Sequence, residues 1–390
     1  MGIQVALGDQ NYSIVMYDVA IIGGGLAGLA TAIQMADLGR KVILFEKKTY
    51  PFHRVCGEYI SMESWDFLAR LGLKLIEEQL PKINQLNISS PSGSLLSHTM
   101  SMGGFGISRF KLDEMLALKA VEKGVVIMSG TAVSTTEFVN DHWEISANNT
   151  QYHSRMAIGS FGKRSNLDVQ QKRNHTQRKS KSSLSNYIAV KYHIKADLPS
   201  DVIELHNFDQ GYCGISKIED DRYCMCYLTT TDNLSKCGKD IDKLEKSILS
   251  KNPHLNRYFS EFEKIYDSPL SIAQIDFSNK KTIEQGMPMI GDAAGMIAPL
   301  CGNGMSMALR GSTLLAPLLD EYLSGKIALN TMHQSYEKLW KKEFSSRLRA
   351  GRLFQSWFGN RVITEGVIQV LRRSPYMMGK LVSLTHGQPF

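Results

Sequence analysis

The stretch from Tyr17 to Glu46 limits the fold more than any other part of the chain. Tyr17-Asp-Val-Ala-Ile-Ile22 is a short apolar, branched run of the kind that forms a strand buried on both faces. It enters Gly23-Gly-Gly25-Leu26-Ala27-Gly28. A helical stretch, Leu29 to Leu38, follows and is stopped by Gly39, and a second strand, Lys41 to Phe45, ends on Glu46. A strand, helix and strand in this order make a right-handed crossover between parallel neighbours, and so an α/β sheet. Gly23 permits the tight turn, Gly25 lets backbone approach a pyrophosphate, and Gly28 lets helix and strand pack closely. The positive end of the helix and its free N–H groups suit phosphate. Glu46, 18 residues past Gly28, suits a ribose diol. The unit reads as dinucleotide binding, and FAD and NAD satisfy it equally.

A second glycine-rich segment lies far downstream. Met287-Pro-Met-Ile-Gly291 predicts another short strand leading into Asp292-Ala-Ala-Gly295. Pro299-Leu-Cys-Gly302-Asn-Gly304-Met305 follows, and then a long apolar-periodic helix to about Leu323. An acid at a strand end suits the polyol linker of a flavin. A Gly-x-Gly turn opening a helix aims N–H groups at a carbonyl or anion, where they stabilise negative charge.

Together these two motifs resemble the aromatic-hydroxylase-like flavoproteins, and most closely their geranylgeranyl reductase branch, in which glycine follows the Asp-Ala-Ala. Pro51-Phe-His-Arg54-Val-Cys56-Gly57-Glu58 is similar to that branch's Cys-Gly-Glu segment, and Ser108-Arg109-Phe-Lys-Leu-Asp113 to the family's Arg-x-x-x-Asp helix start. The resemblance implies FAD, with Asp292 on the ribityl chain, backbone around Gly304 and Met305 facing the ring, and Arg109 near the phosphates. Leu26, Ala27, Lys47, Arg54, Val133, Gly291 and Gly302 complete the expected cofactor set. Cys56 and Cys301 fall in segments expected at the ring, as a redox pair, a reactive thiol or pocket packing. Tyr212, on a substrate-domain strand, faces either the pocket or its back.

Three departures separate the chain from its resemblance. Phe161 stands where the family carries the Asp of an Asp-Gly pair that serves FAD and nicotinamide docking, so NAD(P)H as electron donor stays open. Gly211-Tyr212-Cys213-Gly214 keeps only the Tyr of the isoprenoid reductases' Tyr-x-Trp-x-Phe-Pro run. None of Trp65, Trp143, Trp340 and Trp357 lies in a Trp-x-Trp-x-Ile-Pro motif, which argues against a halogenase.

The expected fold is therefore α/β: a Rossmann-type FAD-binding domain (16–80, 105–165 and 280–325) with an inserted β-sheet substrate domain (81–104 and 183–279). A helical C-terminal region (326–390) completes it, and residues 1–15 are an extension. The expected activity is redox chemistry on a lipophilic or aromatic small molecule. Hydride transfer to a C=C bond comes first, then monooxygenation, then a flavin-containing binding protein without turnover.

Composition narrows the rest. A net charge of +7 over 390 residues is too small to argue for nucleic acid. Six cysteines without metal or disulfide spacing predict a reduced, cytoplasmic chain with no metal. No long apolar run predicts a membrane span. The basic residues collect in two places. Lys163–Lys181, with seven Lys/Arg and one Asp, reads as a solvated loop. The segment from Lys341 interleaves basic residues with Phe344, Leu348, Leu353, Phe354, Trp357 and Phe358. It suits either an anionic membrane surface or a helix capping the flavin domain. Cys224 and Cys226 alternate along a strand and so share a face as packing.

Overall fold

The apolar runs flanking the first glycine turn become the centre of a parallel sheet. In the computed structural model, which describes residues 15–173, 176, 185–357 and 360–390 (backbone alone at 185, 276, 301 and 375), this sheet has six strands. They are β1 (Met16–Ile22), β2 (Val42–Glu46), β6 (Val126–Ser129), β7 (Val133–Val139), β8 (His142–Ala147) and β9 (Thr150–Gly159), in the order β6-β2-β1-β9-β8-β7. β1 pairs in parallel with β2 and β9, while β7, β8 and β9 form an antiparallel meander. Ile21, Leu44 and Ile158 are fully buried, each burial worth about 1.5–3 kcal/mol. Helix α1 (Leu26–Asp37) begins three residues earlier than the apolar period predicts, because Gly25, in extended conformation, serves as its N-cap. With α3 (Arg109–Glu122) and α8 (Gly304–Leu323), α1 covers one face of this sheet.

The second sheet is built mainly from the inserted segments. Its path runs from β14 (Glu263–Lys264) through β10 (Ser185–Lys195), β13 (Tyr223–Thr230), β12 (Gly211–Lys217), β11 (Val202–Phe208), β4 (Lys82–Ser89) and β5 (Leu95–Gly106) to β3 (Tyr59–Ser61), with β15 (Leu270–Asp276) also on β10. Tyr59–Ser61 pairs with Gly104–Gly106. The two units therefore interleave further than the expected boundaries at 80/81 and 104/105. The cause is the length of β5, which passes an irregularity near Ile83 and continues to Gly106. α2 (Trp65–Arg70) follows β3 and returns Phe67 and Leu68 to the first core. On one face of the second sheet, Val190, Tyr192, Met225 and Tyr227 pack against α5 (Thr231–Lys236), α6 (Ile241–Ser247) and α7 (Pro253–Glu261). The other face carries Ala189, Tyr212, Cys226 and Leu228 and looks onto the first unit.

Three expectations need correction. The expected strand at Met287–Gly291 is reduced to Met287–Pro288, and Met289 and Ile290 then meet the end of β9 through one bridge and the Ile290 N–H bonding Gly159 O at 3.0 Å. The described part of 163–181 is solvated only in part: Arg164, Asn166, Val169, Gln170 and Lys172 are exposed, but Leu167, Asp168 and Arg173 are buried, and residues 174, 175 and 177–181 lie outside the description. Ser165 and Asp168 form a capping box on α4 (Asn166–Gln170). Arg173 is 1% exposed, because Asp168 at 2.7 Å and the carbonyls of Ala293 and Lys281 satisfy its guanidinium. In α9 (Leu329–Trp357), Phe344, Leu348 and Phe354 are core residues and do not face a membrane. Leu353 of the same helix is exposed, and further exposed apolar side chains lie on α10 (Arg361–Arg372) and α11 (Pro375–Ser383). Phe358 lies outside the described residues.

Candidate functional site

The glycines of the first turn do two different kinds of work. A Cβ on Gly23 would lie 2.3 Å from Ser160 O, and one on Gly28 would lie 2.2 Å from Gly23 O, so both are fixed by close packing. Gly25 is different: the nearest atom to an added Cβ is Arg109 Nη2 at 3.8 Å, and the space over its backbone is groove. No side chain caps α1, and no acid sits in its first turn. The amides of Leu26, Ala27 and Gly28, which have no partner within the helix, thus stand at the groove with the positive end of the helix dipole.

Charged side chains frame this turn. Glu46 accepts from Gly24 N and Arg54 Nη2, both at 3.0 Å, and from Lys48 N at 3.0 Å. Asp113, fully buried, holds two arginines: Arg54 Nε at 2.9 Å, and Arg109 by a two-pronged contact at 2.7 and 2.8 Å. Lys47 and Val133 line the same groove near Glu46.

The second glycine segment closes the groove from the far side. Gly302 takes a left-handed φ of 65° at the end of a short turn, and α8 then begins at Gly304 with no side-chain cap. Gly291, Asp292, Gly302, Gly304 and Met305 all line the cavity. Burial pushes the Asp292 carboxyl up, against the pull of Lys280, Arg109 and Lys163. Lys280 bridges the backbone oxygens of Lys163 and Asp292 at 2.7 Å each, which fixes the Phe161-Gly162-Lys163 loop beside the Asp292 turn. Burial lowers the Lys163 ammonium to about 8.

Cys56 Sγ lies 3.6 Å from Met305 Sδ, and burial pushes its thiol up. Cys301 ends the Pro299–Cys301 turn, but its side chain lies outside the described residues. Tyr212 lines the cavity at 5% exposure, so it faces the pocket and not its back. Cys226 also lines the cavity, and Cys224 donates to Cys56 O at 3.2 Å.

Sequence reasoning missed the charged cluster behind Cys56. Glu58, fully buried, accepts from Arg109 N at 2.8 Å, from His193 Nε2–H at 2.7 Å and from the Lys191 ammonium. Burial alone would raise its carboxyl; the His193 hydrogen bond and the Lys191 charge outweigh burial and hold it at about 2. The available signal was Lys191 and His193 alternating with Ala189 on the inward face of β10. Glu58, His193 and Cys224 are close enough to ligate a metal, but the Lys191 ammonium already neutralises Glu58. Ser89, His206 and Glu204 form a hydrogen-bonded chain at 2.8 and 2.9 Å that imitates a hydrolase triad. Ser89 and His206 are fully buried and Asn252 Nδ2–H donates to the Ser89 hydroxyl, so the chain is a structural anchor.

The cavity, about 1030 Å³, has a second arm. It runs between the second sheet (Leu86, Ile88, Ile203, Leu205, Leu228) and the inner faces of α10 and α11 (Val367, Leu371, Met378, Leu381, Val382). The lining is therefore glycine-rich and charged in one part and apolar in the other, and Cys56, Tyr212, Gly302 and Gly304 belong to the same lining.

A parallel sheet with a glycine turn at an uncapped helix, joined to a second sheet across a two-armed cavity, defines a dinucleotide-dependent redox protein. The chain belongs to the FAD binding domain family, whose model matches residues 16–342, and is an FAD-dependent oxidoreductase. It is 26% identical over 359 residues to conditioned medium factor receptor 1 of Dictyostelium discoideum (84% of this chain, 68% of the relative). It is 24% identical over 357 residues to digeranylgeranylglycerophospholipid reductase of Methanocaldococcus jannaschii (84% and 83%). Its fold matches a geranylgeranyl bacteriochlorophyll reductase-like protein of Thermoplasma acidophilum, with a TM-score of 0.77 at 18% identity over 97% of each chain. The residues present fit FAD in kind: open backbone at Gly25, two uncapped helix N-termini and a half-buried Asp292 carboxyl are the donors and acceptor that phosphates, a flavin ring and a polyol take.

Proposed function

We propose that the chain holds FAD in the glycine-lined arm and reduces a C=C bond of a lipophilic substrate lying in the apolar arm. The observation that carries this reading is the apolar arm itself, lined by α10 and α11 and continuous with the cavity that Gly302 and Gly304 also line. The backbone at Gly23, Gly25, Leu26, Ala27 and Gly28 binds the pyrophosphate, with Arg109 and Arg54 adding charge. Glu46, Lys47 and Val133 hold the adenosine end. Asp292 and Gly291 meet the ribityl chain, and Gly302, Gly304 and Met305 meet the ring. Bound FAD, once reduced, supplies a hydride. Cys56 and Tyr212 are protic side chains in the lining of this cavity, and a thiol raised by burial keeps its proton at neutral pH, as a proton donor must. The relative named digeranylgeranylglycerophospholipid reductase supports an isoprenoid-type lipid.

The test is anaerobic turnover of FAD-loaded protein, reduced by NADPH or by dithionite, on a geranylgeranyl-chain phospholipid. Mass spectrometry should show two hydrogens gained per reduced double bond. Oxygen consumed in step with an oxygenated product would establish monooxygenation instead. No product even with dithionite would leave a binding protein, a role nearer the receptor name of the Dictyostelium relative.

Membrane contact belongs to the same reading. Among the described residues no helix is long and apolar enough to cross a membrane. Val362 and Tyr376, 80% and 79% exposed, stand on the outer faces of α10 and α11 beside Arg361, Arg372, Arg373 and Lys380. The inner faces of these two helices line the apolar arm, so a lipid reaches the arm by a short path. A basic, apolar surface of this kind docks on anionic lipid and weakens with salt. We expect co-sedimentation with phosphatidylglycerol vesicles that falls on adding 0.5 M salt (roughly a 4 Å screening length) and on Val362→Asp/Tyr376→Asp. Binding indifferent to both changes would remove this part of the reading.

A further inference from the structure

We propose that His142, Glu144 and His153 form a divalent-metal site of the zinc type on the outer face of the first sheet, separate from the cavity. His142 and Glu144 are two apart on β8 and share a face, while Trp143 and Ile145 between and beyond them are buried on the other. Glu144 stands directly opposite His153 on β9, the closest approach two strands allow their side chains. The three donor atoms lie within 4.8 Å of one another. His142 Nε2 is 3.0 Å from His153 Nδ1 and 3.6 Å from Glu144 Oε1. A tetrahedral ion with bonds of about 2.05 Å needs its ligand atoms about 3.3 Å apart, which lies between these two distances. Shifts of a few tenths of an ångström bring these two pairs to that spacing, and the third pair, Glu144 and His153, lies within 4.8 Å.

The surroundings orient the ligands as metal sites require. His142 Nδ1 lies 3.1 Å from Asn140 O. A carbonyl only accepts, so Nδ1 carries the proton and Nε2 presents its lone pair towards the other two ligands. Gln151 Nε2–H donates to Glu144 Oε2 at 2.5 Å, which leaves Oε1 for the ion. On the neighbouring strand the exposed Glu137 pairs in register with Glu144, and either its carboxylate or water takes the fourth position. Without the ion, His153 Nδ1–H donates to His142 Nε2. Metal binding requires only that this proton move to the outer nitrogen of the His153 ring. Two imidazoles and a carboxylate suit zinc, nickel or copper and not calcium or magnesium.

His153 lies six residues before Gly159 on β9, roughly 20 Å at the usual strand rise. The ion is therefore a clamp on the β8–β9 hairpin and no part of the redox chemistry. The test is calorimetric titration of EDTA-treated, FAD-loaded protein with zinc chloride. We expect one equivalent with a dissociation constant in the micromolar range, lost at least 30-fold in His142→Ala and in His153→Ala, with flavin content and melting temperature in the absence of zinc unchanged. Zinc should also raise the melting temperature of the parent and not of these variants. The same stoichiometry in parent and both variants would assign the zinc to the thiols and overturn the proposal, as would no binding by the parent up to 1 mM. Glu144→Gln, which keeps the size of the side chain, should weaken binding without abolishing it.

Discussion

Glu58→Gln is expected to destabilise the protein by about 3–5 kcal/mol, the range for removing one partner of a buried ion pair. Glu58 and Lys191 have almost no solvent exposure, so the ammonium that the variant leaves behind can recover neither its counter-charge nor its hydration. The same carboxylate accepts from His193 and from Arg109 N, tying the Cys56-Gly57-Glu58 loop to β10 and to the start of α3 at once. Glu58→Gln/Lys191→Met should regain most of the loss, because the unpaired charge is then removed with its partner; urea unfolding of the single and double variants measures both effects. A single variant within about 1 kcal/mol of the parent would show that the pair is not the buried unit described above. The pH dependence has a definite sign. The folded carboxyl is held at about 2, below its ordinary 4.5. Its contribution is therefore fully present above about pH 5 and lost as pH falls from there towards 2, and the lost fraction should be absent from Glu58→Gln.

The sequence made parts of this architecture legible for a physical reason: the constraint was local. Gly23, Gly25 and Gly28 act through backbone within one turn, and Glu46 follows on the adjacent strand, so spacing alone placed them. The same is true of the open helix at Gly304. What failed were readings that depend on partners far along the chain. Arg173 reads as one more basic residue in a polar loop, and it is buried only because Asp168 and the carbonyl of Ala293, 120 residues on, meet it. Phe344 and Phe354 among arginines suited a membrane surface or a helix capping the flavin domain alike, and only the packing decides for the second: the flavin unit's core covers them. Lys191 was invisible as a site residue because its counter-charge, Glu58, belongs to a different unit of the chain. The exposed faces of α10 and α11 depend on which residues the sheet had already claimed, information that no window of the sequence holds.

Gly25→Ala separates a glycine needed by the fold from one needed by a ligand, and it should cost FAD without costing the protein. The φ and ψ of Gly25, −86° and −176°, are open to any residue. An added methyl finds only Arg109 Nη2, at an ordinary 3.8 Å. The apoprotein should then be as stable as the parent, or more so by about 0.4–1 kcal/mol from the reduced freedom of the unfolded chain. The methyl instead enters the groove where a pyrophosphate must approach backbone. A drop of about 100-fold in FAD affinity, about 2.8 kcal/mol at 1.4 kcal/mol per tenfold, is expected. Gly28→Ala is the contrasting variant: its methyl would sit 2.2 Å from Gly23 O, so it should lower the melting temperature of the apoprotein as well. Flavin fluorescence titration of the two apoproteins, beside their thermal melts, distinguishes the roles. A Gly25→Ala protein that binds FAD as tightly as the parent would mean that the phosphates do not pass over this turn, and would move the cofactor elsewhere in the cavity.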